Sequence, residues 1–398
     1  MGTKNFNSAT DLITFTRASG GTFLGSDGLL QTAANNIPRI EYDATGAVKG
    51  LLIEQARTNL VTYSNDFTTS SWTRYRVSIA SNVSGVTAPD GSETVDKMIP
   101  NSANHEHRVW DGVSSTAVGE TYSVYAKSAG YDYVWLGYYE GAVYGYAVVN
   151  LTNGVVTASN TANYSVEAST NGFYRISVTK TASGTNPRYI SISPSPTASP
   201  TLNSNNAPLY TGDGTSGIYV WGAQIEAGAF PTSYIPTTGS TATRAKDVAS
   251  IPVSAFGYNN DAGSLVIDVL TPVVDQFMTL AYFNTSSYFN SRGFVKASTN
   301  TASSGNHYIN ATYDGASIKI QLGTQTQAGY TKLGLSYGAT AKAVRDGGTV
   351  GSGTSLYPNP TRLHLGGREN GLQSQCWIKS IQYYPRQLTD TQLQELTT

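Results

Sequence analysis

Five stretches between Gly119 and Gly228 repeat with a period of two, and turn-forming residues bound each of them. They are GETYSVYAKSA (Gly119–Ala129), YDYVWLGYY (Tyr131–Tyr139), YGYAVVNL (Tyr144–Leu151), FYRISVTKTA (Phe173–Ala182) and GIYVWGAQIEAG (Gly217–Gly228). That period sends successive side chains to opposite faces of a strand, so a chain of this kind must bury one face of each sheet. Asn153-Gly154 and Asn171-Gly172 are dipeptides that tight hairpin turns favour. Repeated strands with this punctuation predict a two-sheet sandwich over residues 59–250.

A small, polar seam follows, TTGSTATRAKDVASIPVS (Thr237–Ser254), and strand patterns resume over 251–398. GSLVIDVLTP, MTLAYFN, GFVKAS, HYINATYD, ASIKIQLG, TKLGLSYG and CWIKSIQYYPR are the clearest of them. One helix is expected, at the end, in LTDTQLQELTT. There Thr389 stands three residues before Gln392, the spacing of a capping box. Residues 1–58 scatter their apolar residues among turns. They carry too little apolar mass to fold alone, so they form an arm that lies on another domain or anchors the chain in an assembly.

Composition narrows the function classes. Charged residues make up 13% of the 398 positions, against ~25% in an average soluble domain. The 40 Gly and 27 Tyr belong to turns and aromatic strands. A net charge of −1 with no basic run argues against nucleic acid as a partner. One cysteine, Cys376, rules out a disulfide framework and is read as a small buried hydrophobe. No apolar run reaches membrane-spanning length, and MGTKNFNSATDL lacks a signal-peptide core. The expectation is a protein made in a cytoplasm without membrane insertion.

Several spaced motifs resemble a known family. FTRAS (Phe15–Ser19), DGLLQTA (Asp27–Ala33), IPRIEYD (Ile37–Asp43) and GLLIEQARTNL (Gly50–Leu60) together resemble the opening module of tailed-bacteriophage virion proteins of fibre, spike and decoration type. NLVTYSNDFTTSSW and YVWGAQIEAGAFPTSYIPT are similar to the first and last strands of jelly-roll carbohydrate-binding modules. IKSIQYYPRQLTDTQLQEL is similar to the closing strand and helix of concanavalin- or laminin-G-like sandwiches. The resemblance implies an all-β chain: an irregular N-terminal arm (1–58), a jelly-roll β-sandwich (59–250), a concanavalin-like β-sandwich (251–398) and a short C-terminal helix. It also implies a non-enzymatic virion component exposed on the particle. Such a component would be joined to other capsid or tail proteins through the arm, homo-oligomeric with trimeric assembly, and able to touch host-surface glycan. A depolymerase tailspike and a bacterial surface adhesin are the alternatives.

Motifs of catalytic type fail on context. GDGTSG (Gly212–Gly217) fits the dinucleotide fingerprint, but a strand follows where a helix is required. GLSYG (Gly334–Gly338) centres on Ser336 but runs into a second strand, with His364 as the one later histidine. His105-Glu106-His107 lacks a third ligand. Glycoside hydrolysis needs two carboxyl groups flanking the bond. Asp261, Asp268, Asp275, Asp314, Asp346, Glu369, Asp390 and Glu395 show no such pairing along the strands of 251–398. No catalytic residue, metal or cofactor is expected.

The aromatic run is the positive signal. Tyr131, Tyr133, Trp135, Tyr138, Tyr139, Tyr144 and Tyr146 fall within sixteen residues on two strands expected to be neighbours. Sugar rings stack their C–H faces on flat side chains, so these seven are the candidate carbohydrate-binding residues; sheet packing or a subunit interface is the other use for them. If Val134 and Leu136 face the core, Tyr131, Tyr133 and Trp135 line the opposite face. Trp72, Trp110 and Trp221 are expected in the core.

Overall fold

The computed structural model describes residues 12–113, 119–140, 143–161, 163–180, 188–204, 206–271, 278–284, 291–298, 307–313, 318–324, 329–353, 359–367 and 375–398. It is all-β, apart from short 3₁₀ turns and one C-terminal α-helix. Two compact units divide the chain: Gly21–Thr32 with Arg57–Arg244, and Met1–Gly20 with Ala33–Ala56 and Ala245–Thr398.

The first unit is a jelly-roll sandwich of two six-stranded antiparallel sheets. One runs in the order Val156–Ser159, Val143–Asn150, Tyr133–Glu140, Arg188–Ser195, Arg108–Val113, Thr73–Tyr75. The other runs Tyr164–Ala168, Tyr174–Lys180, Glu120–Ala129, Gly217–Ala227, Asp96–Pro100, Val77–Ala80. Alternate residues of both sheets meet in one core that includes Val109, Val124, Val134, Leu136, Ile176, Ile190, Ile192, Val220 and Ile225. The Asn171-Gly172 turn has the two positive φ angles, 56° and 75°, for which that dipeptide is suited.

Asn59, in the motif GLLIEQARTNL, is fully buried. Its amide donates to the carbonyls of Ala223 (3.1 Å) and Ile235 (2.9 Å), and its oxygen accepts from the Ile225 amide (3.2 Å). One side chain thus ties Arg57–Asn59 to Gly217–Ala227 and to the segment that follows it.

The second unit is a sandwich of two seven-stranded sheets around Leu51, Ile53, Leu265, Ile267, Leu280, Phe283, Leu333, Leu363 and Ile378. Cys376 lies fully buried in this core, and burial pushes its thiol up to about 12, as suits an inert apolar filler. The closing helix Asp390–Thr397 has the expected capping box. The Thr389 hydroxyl accepts from the Gln392 amide at 3.2 Å, and the Gln392 side chain accepts from the Thr389 amide at 3.1 Å.

Residues 1–58 are divided between the units. Thr14–Thr16 pairs with Val248–Pro252, and Val48–Ile53 pairs with Cys376–Tyr384, so both complete sheets of the second unit. Gly21–Thr32 belongs to the first unit. These strands cannot bury enough alone, and they gain their core by entering sheets made largely from later sequence.

Charge holds two of these segments. Arg17 of FTRAS reaches Asp247 at 3.2 Å, Arg39 of IPRIEYD reaches Asp247 at 2.5 Å and Glu54 at 2.8 Å, and all four side chains are at most 1% exposed. The Glu54 amide also donates to Asp247 (2.8 Å). Burial opposes the charge on Arg39, yet Glu54 and Asp247 outweigh it and raise its pKa. Three of the family-like motifs therefore supply a buried ion cluster. No helix among the described residues is long and apolar enough to cross a membrane.

Candidate functional site

Strand alternation decides which aromatic residues can meet a ligand. In Tyr133–Glu140, Val134, Leu136 and Tyr138 enter the core, so Tyr133, Trp135, Gly137 and Tyr139 occupy the outer sheet face. In Arg108–Val113 the core takes Val109 and Val113, which turns Arg108, Trp110 and Gly112 outward. In Arg188–Ser195 it takes Ile190 and Ile192, which turns Tyr189, Ser191 and Ser193 outward.

Register then assembles two lines across four strands. Trp110 lies opposite Ser191, Ser191 opposite Gly137, and Gly137 opposite Tyr146. Beside it, Gly112 lies opposite Tyr189, Tyr189 opposite Tyr139, and Tyr139 opposite Tyr144.

The glycines let rings lie down on the sheet. A Cβ at Gly112 would meet Tyr189 Cε1 at 2.5 Å, and one at Gly137 would meet Trp135 Cη2 at 2.3 Å. Each ring therefore covers the glycine of a neighbouring position. Beside the Tyr189 ring opens a pocket of about 240 Å³ lined by Arg108, Trp110, Tyr139, Tyr189 and Ser191.

The Arg108 guanidinium stands 4.6 Å from the Trp110 ring centroid, with its Nε 3.7 Å from Glu106. Asn203 donates to the same Glu106 oxygen at 2.5 Å. Tyr139 and Tyr189 are 6.2 Å apart and inclined at 38°. Ser191 is 1% exposed, and its hydroxyl has no hydrogen-bond partner among the described residues. A buried hydroxyl left in that state costs about 1–3 kcal/mol, a cost that a polar group entering the pocket would relieve.

The seven sequence candidates divide. Tyr139 lines the pocket, and Tyr144 stands beside it, 40% exposed. Trp135 faces outward but is only 3% exposed, because it stacks on Tyr146 at 5.6 Å and 24°. Tyr133 is half-buried on the outer face, two residues before Trp135. Tyr138 points into the core, stacked 5.4 Å from Tyr122, so it is no surface residue; alternation fixes this, since Val134, Leu136 and Tyr138 share one parity. Tyr131 precedes the strand and packs edge-on against Tyr210 at 5.9 Å.

Trp72 and Trp221 are core residues as expected, each 1% exposed. Trp110 is a correction: it lines the pocket. Arg108, Tyr189 and Ser191 were not singled out from the sequence either. The available signal was the alternation in RVWDGV and RYISISPS, which gives their faces but not their neighbours.

The other motifs take structural places. The Ser336 hydroxyl is fully buried, accepting from Ser264 at 3.0 Å and donating to the Leu388 carbonyl at 3.3 Å. Asp213 of GDGTSG accepts from the amides of Thr215 (2.8 Å) and Ser216 (2.7 Å) in a turn before a strand. His107 is buried with its ring nitrogens against the carbonyls of Arg76, Ala103 and Tyr210, and no metal-binding group occurs among the described residues. Asp275, Asp314 and Glu369 lie outside the described residues. None of the five pocket residues is a carboxylate.

Asp111, on the core side of the same strand, is 7% exposed, and burial pushes its carboxyl up to about 6, partly offset by the Gly112 amide. Its folded pKa exceeds the unfolded one, so the folded state binds the extra proton between about pH 4 and 6. Stability is expected to fall by about 1–2 kcal/mol as pH rises through that window, allowing for residual hydration of the group. Denaturation of Asp111→Asn across the same window should lack this decline; an unchanged pH profile would refute the assignment.

No protein-family model matches the chain, and no curated protein matches it. Solved structures give distant similarities. The CBM40 of the Ruminococcus gnavus IT-sialidase is 17% identical, covering 36% of this chain and 86% of its own, with a TM-score of 0.28. The CBM22-1–CBM22-2 tandem of Paenibacillus barcinonensis Xyn10C is 8% identical, covering 83% and 99%, at 0.27. The Trypanosoma rangeli sialidase in complex with the inhibitor DANA is 10% identical, covering 76% and 60%, at 0.30. At these scores the likeness carries nothing over to the site.

Proposed function

We propose that the chain is a non-enzymatic glycan-binding protein, and that the outer-face pocket of the jelly roll takes one saccharide ring. The observation that carries this reading is the pocket itself. Aromatic side chains from three strands surround an orphaned buried hydroxyl and a cation, which together match the apolar faces and polar rim of a sugar.

Binding the purified chain to an array of bacterial capsular and lipopolysaccharide glycans tests it. Retention of a defined glycan class is expected, with Tyr139→Ala weakening the best ligand about threefold to tenfold, since Tyr139 is only partly covered. No retained glycan, or retention indifferent to Tyr139→Ala, would count against the pocket.

The second half of the proposal is the setting. The motifs FTRAS, DGLLQTA, IPRIEYD and GLLIEQARTNL support a tailed-phage virion component, homo-oligomeric and exposed on the particle, that presents this pocket to host-surface polysaccharide. Repetition on one particle would turn weak single contacts into firm attachment. Mass spectrometry of purified particles should recover the chain. Incubation with the retained glycan should release no reducing ends; release would move the reading to a depolymerase.

A further inference from the structure

This inference rests on the glycan-binding reading and names the class of sugar. We propose that the pocket selects an acidic saccharide, with Arg108 and Ser191 receiving a carboxylate on the ring while Trp110, Tyr139 and Tyr189 hold its apolar faces.

Arg108 is fixed from behind. Its guanidinium stands 4.6 Å from the Trp110 ring centroid, and the carboxylate of Glu106 reaches Nε at 3.7 Å, too long for a hydrogen bond. The Glu106 oxygen nearest Arg108 is also occupied by Asn203. The terminal nitrogens of Arg108 have no acceptor among the described residues, while the group lines the pocket with its side chain only 17% exposed. Ser191, on the neighbouring strand, offers a buried and unpartnered hydroxyl to the same space.

A neutral sugar hydroxyl can pair with Ser191 and accept one N–H of Arg108, but only through weaker, single bonds. A carboxylate can satisfy Ser191 and also take the parallel N–H pair of a planar guanidinium, through bonds stronger than neutral ones. Among the described residues, none that lines the pocket is anionic. Hexuronic acids and 2-keto sugar acids share this carboxylate beside the ring oxygen.

The full chain is titrated calorimetrically with trigalacturonate, with its carboxyl-reduced counterpart, and with a sialic acid trimer. At least one acid is expected to bind about tenfold tighter than the reduced sugar. That advantage should collapse near about 1 M salt, where screening is short-ranged. A preference for trigalacturonate identifies the hexuronate form, and a preference for the sialic acid trimer the keto-acid form.

Arg108→Gln should erase the advantage, weakening the acid far more than the reduced sugar; Arg108→Lys should restore part of it. Ser191→Ala, the smaller change, should weaken acid binding about threefold, and melting curves confirm that each variant folds. Equal binding of acid and reduced sugar, or equal weakening of both by Arg108→Gln, overturns the acidic preference and leaves glycan binding standing. Binding of none of the three sugars overturns the acidic preference; glycan binding itself falls only if the array also retains nothing.

Discussion

Asp247→Ala is expected to lower the stability of the second unit by about 3–5 kcal/mol, the range for removing one partner of a buried ion pair. Asp247 is the shared acceptor of Arg17, Arg39 and the Glu54 amide, and both arginines are fully or almost fully buried. Removing it leaves Glu54 as the remaining carboxylate of a cluster that holds two guanidinium groups.

Differential scanning calorimetry provides the check, because the chain has two units and one transition temperature need not describe both. A transition should move down by about 6–20 °C, from about 2–4 °C per kcal/mol in domains of this size. Asp247→Asn, which keeps the shape but not the charge, should lie close to the alanine variant. A loss below about 1 kcal/mol would mean that the arginines find other partners, and the cluster would then be a poor account of how the N-terminal strands are held.

Trp110→Ala is expected to weaken binding of the best glycan about 30-fold or more, the effect of truncating a central aromatic contact worth about 2 kcal/mol. Trp110 forms one wall of the pocket and also supports the Arg108 guanidinium, so its removal loses the stacking face and frees the cation. Tyr139 holds the rim and has less to lose. The fold should survive, because Trp110 faces away from the core that its neighbour Val109 enters. Calorimetric titration of the two variants gives the comparison. If Tyr139→Ala proved the more damaging, the ring would have to lie toward Tyr144 instead.

Much of the fold was legible because period two is a local property. Val134 against Trp135, and Ile190 against Tyr189, reveal their faces within a few residues, and Thr389 with Gln392 marks the closing helix. The destination of residues 1–58 was not legible, since Val48–Ile53 pairs with a strand more than three hundred residues later and nothing local announces that partner. The site failed for the same reason. Tyr139 was found inside a run of aromatic residues, but Trp110 and Ser191 join it only through the order of strands. An isolated tryptophan in RVWDGV looks like any core tryptophan until Ser191 is placed beside it.

The division of the N-terminal segment also sets a timetable for synthesis. Ile53 waits for Cys376, so at roughly 5–20 residues per second the early strand emerges tens of seconds before its neighbour exists. The jelly roll can close during that interval, whereas the other sandwich stays unfinished until Cys376–Tyr384 has emerged. Nascent chains stalled before residue 376 should therefore be the species that chaperones retain and proteases find.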